Sequence, residues 1–187
     1  MEITSHFVGV SLNNLLFADL FVDLQTYLKN NSIEECLTLQ NPLSLHITLY
    51  YFPKDIVKVE MTNIKEIIKA ISHTTRPEIQ INGFNYFKQG EQAYLCYLSP
   101  LHCEKLQDIN DKFRGSFANT VTNNTHSYAP HITFFHINNY NIFTIHKAKL
   151  ESIMGLHLIK IQKENVFTGF NLYAVNSYYE PQIQIVI

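Results

Sequence analysis

Apolar and polar positions change period along this chain, and the changes divide it into strands and helices. Residues 6–11 alternate as a half-buried strand does, and over residues 13–30 Phe17, Leu20, Phe21, Leu24, Tyr27 and Leu28 recur on one stripe at helical spacing. After a loop through Asn41 and Pro42, residues 45–50 alternate again, and Thr62 is positioned to cap a helix that faces inward with Ile64, Ile67, Ile68 and Ile71 until Pro77 stops it. Residues 78–88 and 92–98 read as strands joined at Gln89-Gly90. Ser99-Pro100 predicts the start of a helix whose inward residues are Leu106, Ile109 and Phe113. A polar loop at 120–125 leads to an alternating strand at 130–135, then a helix capped by Thr144 and closed by Gly155, strands at 157–161 and 170–175, and an edge strand at 182–187.

Two of these strands share a tripeptide. His46-Ile47-Thr48 and His131-Ile132-Thr133 each put an imidazole and a hydroxyl two residues apart, on one face of a strand, with Leu45, Ile47 and Leu49 or Ile132 and Phe134 on the other. By the same parity Tyr50 and Phe135 join the polar face. The motif histidines lie 85 positions apart and the expected helix starts at Asn13 and Ser99 lie 86 apart, so the chain reads as strand, helix, His-Ile-Thr strand, helix, strand, repeated. The expectation is one domain over residues 1–187, its lobes built from halves at roughly 1–89 and 90–187 about a pseudo-two-fold axis, with the motif strands on either side of a groove.

Composition narrows the classes. A chain of 187 residues, 46% hydrophobic and 13% aromatic, can bury one sizeable core. A formal charge of −2 without a Lys/Arg run argues against long duplex nucleic acid and for a small nucleotide or short oligonucleotide. Three cysteines without a Cys-x-x-Cys pair, no opening leader and no apolar run of membrane length make a cytoplasmic monomer the expectation, with no membrane partner.

The chemistry expected of the repeated motif is proton transfer at phosphorus. An imidazole titrates near 6.5, so His46 and His131 can serve as base and acid near neutrality, while Thr48 and Thr133 donate to phosphate oxygens. No His-Glu-x-x-His pattern and no carboxylate at ligand spacing accompanies either motif, so neither metal nor other cofactor is expected. Tyr50 and Phe135 are candidates to stack on a base, and Tyr128 to reach the groove mouth; Lys88 and Arg114 are candidate phosphate partners. His136 has the opposite strand parity from His131 and is expected to point away, with His126, His6, His73, His102, His146 and His157 in structural or solvated roles.

Leu-His-Ile-Thr-Leu and Pro-His-Ile-Thr-Phe resemble the paired His-x-(Thr/Ser) signature of the two-histidine (2H) phosphoesterase superfamily, which includes RNA 2′,3′-cyclic phosphodiesterases and 2′-5′ RNA ligases. The resemblance covers nearly the whole chain in layout and implies a bilobal α+β fold, with antiparallel sheets lining a central groove and helices outside. It implies His46 and His131 as the catalytic pair and Thr48 and Thr133 as the phosphate-binding hydroxyls of a metal-independent phosphodiesterase acting on 2′,3′-cyclic phosphates or 2′-5′ linkages. Degradation of cyclic or 2′-5′ oligonucleotide second messengers, RNA 2′-5′ ligation and non-catalytic nucleotide binding are the alternatives. Some relatives place a basic residue near the groove, and here no Arg or Lys stands beside the second motif.

Overall fold

A computed structural model describes residues 3–118, 127–176 and 181–186, so His126 and the polar loop at 120–125 lie outside the described residues. In chain order the elements are β1 (Ile3–Leu12), α1 (Ala18–Asn30), β2 (Leu37–Leu39), β3 (His46–Pro53), α2 (Lys54–Thr74), β4 (Ile81–Gln89), β5 (Gln92–Pro100), α3 (Glu104–Ser116), β6 (Ile132–Ile137), α4 (Tyr140–Ile161), β7 (Phe167–Asn176) and β8 (Pro181–Val186). The strands form two antiparallel four-stranded sheets, ordered β3-β1-β7-β8 and β2-β6-β5-β4. Helix α2 packs on β1, β3 and β7, and α4 packs on β4, β5 and α1, so the helices cover the sheets as the α+β reading expects.

Each lobe takes strands from both halves of the chain. β7 and β8 join β1 and β3, whereas β2 and β4 join β5 and β6, so the lobes do not follow the division at residue 89. The exchange puts β2 and β4 of the first half on the outer edges of the sheet built on β5 and β6, and β7 and β8 of the second half beside β1. Leu20, Phe21, Leu24 and Leu28 of α1, Ile64, Ile68 and Ile71 of α2, and Phe134 and Phe143 of the second lobe then belong to one continuous core.

Where the observed elements depart from the sequence reading, tertiary contacts account for it. α2 begins at Lys54 directly after Pro53, which puts Thr62 inside the helix instead of at its cap. Ser99 and Pro100 extend β5, paired with Gly83 and Ile81; proline is admissible at a strand end because no further ladder donor is needed. α3 therefore starts later, at Glu104. Asn139, not Thr144, caps α4, its side chain accepting from the Ile142 amide at 3.1 Å. Helix α4 then runs through Gly155 and through the expected strand at 157–161. Glycine costs about 1 kcal/mol inside a helix, and the burial of Leu150, Met154, Leu158 and Ile161 at three- and four-residue spacing outweighs it, at about 1.5–3 kcal/mol each. The two-residue turn after Gln89 was legible: Gly90 adopts φ +60°, which a side chain resists.

Candidate active site

β3 lies at the edge of one sheet and β6 one strand in from the edge of the other, and the two touch across the seam between the lobes. Both ladders carry the same irregularity one residue past the motif threonine. Thr48 pairs with Gly9 and Tyr50 with Val8, leaving Leu49 as an extra residue; Thr133 pairs with Tyr97 and Phe135 with Cys96, leaving Phe134 extra. A bulge resets the alternation of a strand. Its freed carbonyl also needs a new partner. The Asn110 side chain of α3 donates to the Leu49 carbonyl at 2.6 Å, and the Gln40 amide donates to the Phe134 carbonyl at 2.8 Å.

This duplicated bulge corrects three expectations. Tyr50 is stacked on Phe113 inside the core, with ring centroids 5.9 Å apart, and only part of it reaches the groove. Burial raises its phenol, with Arg114 opposing. Phe135 is fully buried beside Phe134 and Phe143 and cannot stack on a base. The groove face resumes instead at Tyr51 and His136, so His136 returns to the side it was expected to leave. Tyr128 does reach the site: it lines the cavity beside Thr48 and donates from its hydroxyl to the Thr48 carbonyl at 3.2 Å, and burial raises its phenol.

The motifs cross over. Thr48 and His131 share one cavity of about 200 Å³, with Arg114, Tyr51 and Tyr128 in its wall. His46 and Thr133 share a second, of about 330 Å³, with Gln40, Tyr51 and His136. Each histidine thus stands with the other motif's threonine, and Tyr51 borders both spaces. Lys88 is exposed on β4 and lines neither.

Both imidazoles are held in the same way. His46 Nδ1 is 2.7 Å from the Ser44 carbonyl and His131 Nδ1 is 2.8 Å from the Ala129 carbonyl, in each case two residues back. A carbonyl only accepts, so Nδ1 carries the hydrogen and Nε2 is left for chemistry. Each ring also leans on a stacked aromatic pair. Phe7 and Tyr173, 4.7 Å apart, contact His46 at 4.5 and 5.2 Å, while Phe87 and Tyr97, 4.4 Å apart, contact His131 at 5.0 and 5.8 Å. Gly9 makes the first arrangement possible, because a Cβ there would stand 3.1 Å from Phe7 and 3.2 Å from Tyr173. Burial lowers His46 to about 4; the Ser44 carbonyl opposes this and the charge of His131 adds to it. Partial burial also lowers His136.

None of the four supporting rings, nor Tyr51 or Gln40, stood out in the sequence. The one available signal was the supply of aromatic residues in strands at residues 6–11, 78–88, 92–98 and 170–175. Among the described residues no group of three or more His, Cys, Asp or Glu is arranged to hold a metal ion, and no helix is long and apolar enough to cross a membrane.

Two antiparallel sheets facing each other with a His-x-Thr strand at the seam of each define the 2H phosphoesterase architecture. The family description of the 2′-5′ RNA ligase superfamily matches residues 33–153, and the chain belongs to that family. A search of the curated proteins returns no match. Solved structures with the same fold include TT0787 of Thermus thermophilus, with TM-score 0.56, 16% identity and coverage of 98% of this chain and 95% of that one. A structure described as a phosphoesterase gives TM-score 0.57 at 12% identity over 98% and 96%. LigT of E. coli, solved in complex with 3′-AMP, gives 0.56 at 11% over 100% and 97%. At these identities the likeness is one of fold.

Proposed function

We propose that the chain is a phosphodiesterase that cleaves ribose-linked phosphodiesters, a 2′,3′-cyclic phosphate or a 2′-5′ bond in a short oligonucleotide, by two-histidine acid–base catalysis. The observation that carries this reading is the matched tethering of His46 and His131 through Nδ1, each beside the opposite motif's threonine. His46, lowered to about 4, is neutral near pH 7 and takes the role of base, accepting at Nε2 the proton of the attacking water or ribose hydroxyl. His131 gives its Nε2 proton to the departing ribose oxygen as the phosphorus–oxygen bond breaks. Thr48 and Thr133 donate to the non-bridging oxygens, where negative charge gathers in the transition state.

Membership of a family named for RNA ligation favours a second reading, the same displacement run in reverse, which uses the same groups. Both are tested by incubating the protein with cyclic mononucleotides, 2′-5′ oligoadenylate and cyclic dinucleotides and identifying the products. Turnover of at least one substrate that disappears in His46→Ala and His131→Ala is expected. Binding without turnover by the unmodified protein would leave a nucleotide-binding module.

A further inference from the structure

The cavity shared by His46 and Thr133 contains a titratable group with no part in the steps above. The bulge at Phe134 turns β6 so that Thr133 and His136 line the same space, although an unbroken strand would put them on opposite faces. The rest of the wall is Phe7 and Ser5 from β1, Val175 from β7, Gln40 from the segment after β2, and His46 and Tyr51 from β3. The strand neighbours of His136, Thr38 on β2 and Leu95 on β5, are uncharged. No Lys, Arg, Asp or Glu is among these described residues, so the titratable groups facing His136 are His46 and Tyr51. The other cavity has Arg114; this one has no permanent cation among its described residues.

A phosphodiester keeps one negative charge throughout the working pH range, and its oxygens seek charged donors. On the Thr133 side, with His46 in use as a neutral base, that leaves one side chain able to offer positive charge. We infer that His136, as imidazolium, binds a phosphate oxygen of the substrate on the Thr133 side, so that substrate affinity depends on the protonation of a third histidine. This rests on the groove being a phosphodiester site. His136 is a binding residue in this scheme and transfers no proton. A hydrogen bond to a charged group corresponds to roughly ten- to hundredfold in affinity.

The test uses adenylyl-(2′-5′)-adenosine, which has one phosphodiester and no terminal phosphate, titrated calorimetrically into the full chain carrying His131→Ala to remove the proposed acid and suppress turnover. Affinity is expected to fall about tenfold or more between about pH 5.5 and pH 8 as His136 loses its proton. Adding His136→Gln should give weak binding at both pH values, and His136→Arg should give tight binding at both. A Gln variant that binds as tightly as its parent at the acid pH, or an Arg variant that keeps the parent's pH dependence, would overturn the assignment. Because the Arg variant predicts a gain at alkaline pH, misfolding of the Gln variant cannot imitate the expected result. Absence of binding by the His131→Ala parent at both pH values would instead remove the phosphodiester reading of the groove.

Discussion

His46 is enclosed against two aromatic rings, and this burial favours its neutral form, while the Ser44 carbonyl that holds its Nδ1 opposes the effect. Because its folded value, about 4, lies below the ordinary imidazole value, the unfolded chain binds the extra proton first as pH falls. The His46 contribution to stability is therefore complete above about pH 6.5 and is lost as pH falls towards 4. Thermal melts should show a steeper acid loss for the unmodified protein than for His46→Ala over that window. The acid limb of the rate should likewise lie near 4, where the base becomes protonated. His46→Ala and His131→Ala should each lower turnover by about 10²–10⁴-fold, with Thr48→Ala and Thr133→Ala costing somewhat less. The double histidine variant should be far less damaged than the product of the single effects, since both groups serve one step. Gly9→Ala adds a methyl 3.0 Å from the Ile47 carbonyl and close to Phe7 and Tyr173, so it should reduce turnover several-fold while circular dichroism stays native.

At the level of elements, the two bulges are the features that convert ordinary amphipathic strands into a site. Each bulged carbonyl is satisfied by a residue that also lines the adjoining cavity, Asn110 for Leu49 and Gln40 for Phe134. Asn110→Ala leaves the Leu49 carbonyl buried without its donor, so denaturant unfolding should show a loss of about 1–3 kcal/mol, with reduced turnover because Thr48 adjoins the bulge. Asn139→Ala removes only a helix cap that lines neither cavity. It should cost about 1 kcal/mol and leave the Michaelis parameters unchanged, which makes it the control for the Asn110 measurement.

Over the whole molecule, the site exists because strands are exchanged between the halves of the chain. His46 rests on Phe7 and Tyr173, which come from opposite ends of the sequence, and His131 on Phe87 and Tyr97 from the central hairpin. Each catalytic candidate thus depends on contacts of long sequence separation, which form only when both sheets are complete. Since the proposed steps need only imidazoles and hydroxyls, turnover should survive excess chelator. Loss of turnover on chelation and its recovery on adding zinc or manganese would replace the mechanism with a metal-assisted one.

The sequence by itself determined the two His-Ile-Thr strands, the inward stripes of α1 and α2, the Gly90 turn and the α+β class, because each follows from local periodicity or from one residue's backbone preference. It determined the family as well, through two short motifs at a regular interval. Only the tertiary structure decided that Tyr50 and Phe135 belong to the core and His136 to the groove, since a bulge is set by pairing with a neighbouring strand and has no local signature in Leu49 or Phe134. It decided too that α4 continues through Gly155, where burial against a sheet outweighs a weak helix former, and that the lobes exchange strands. Periodicity reports which side of an element is apolar; which element lies against that side depends on chain closure over the whole fold, and the pairing of each histidine with the other motif's threonine was settled there.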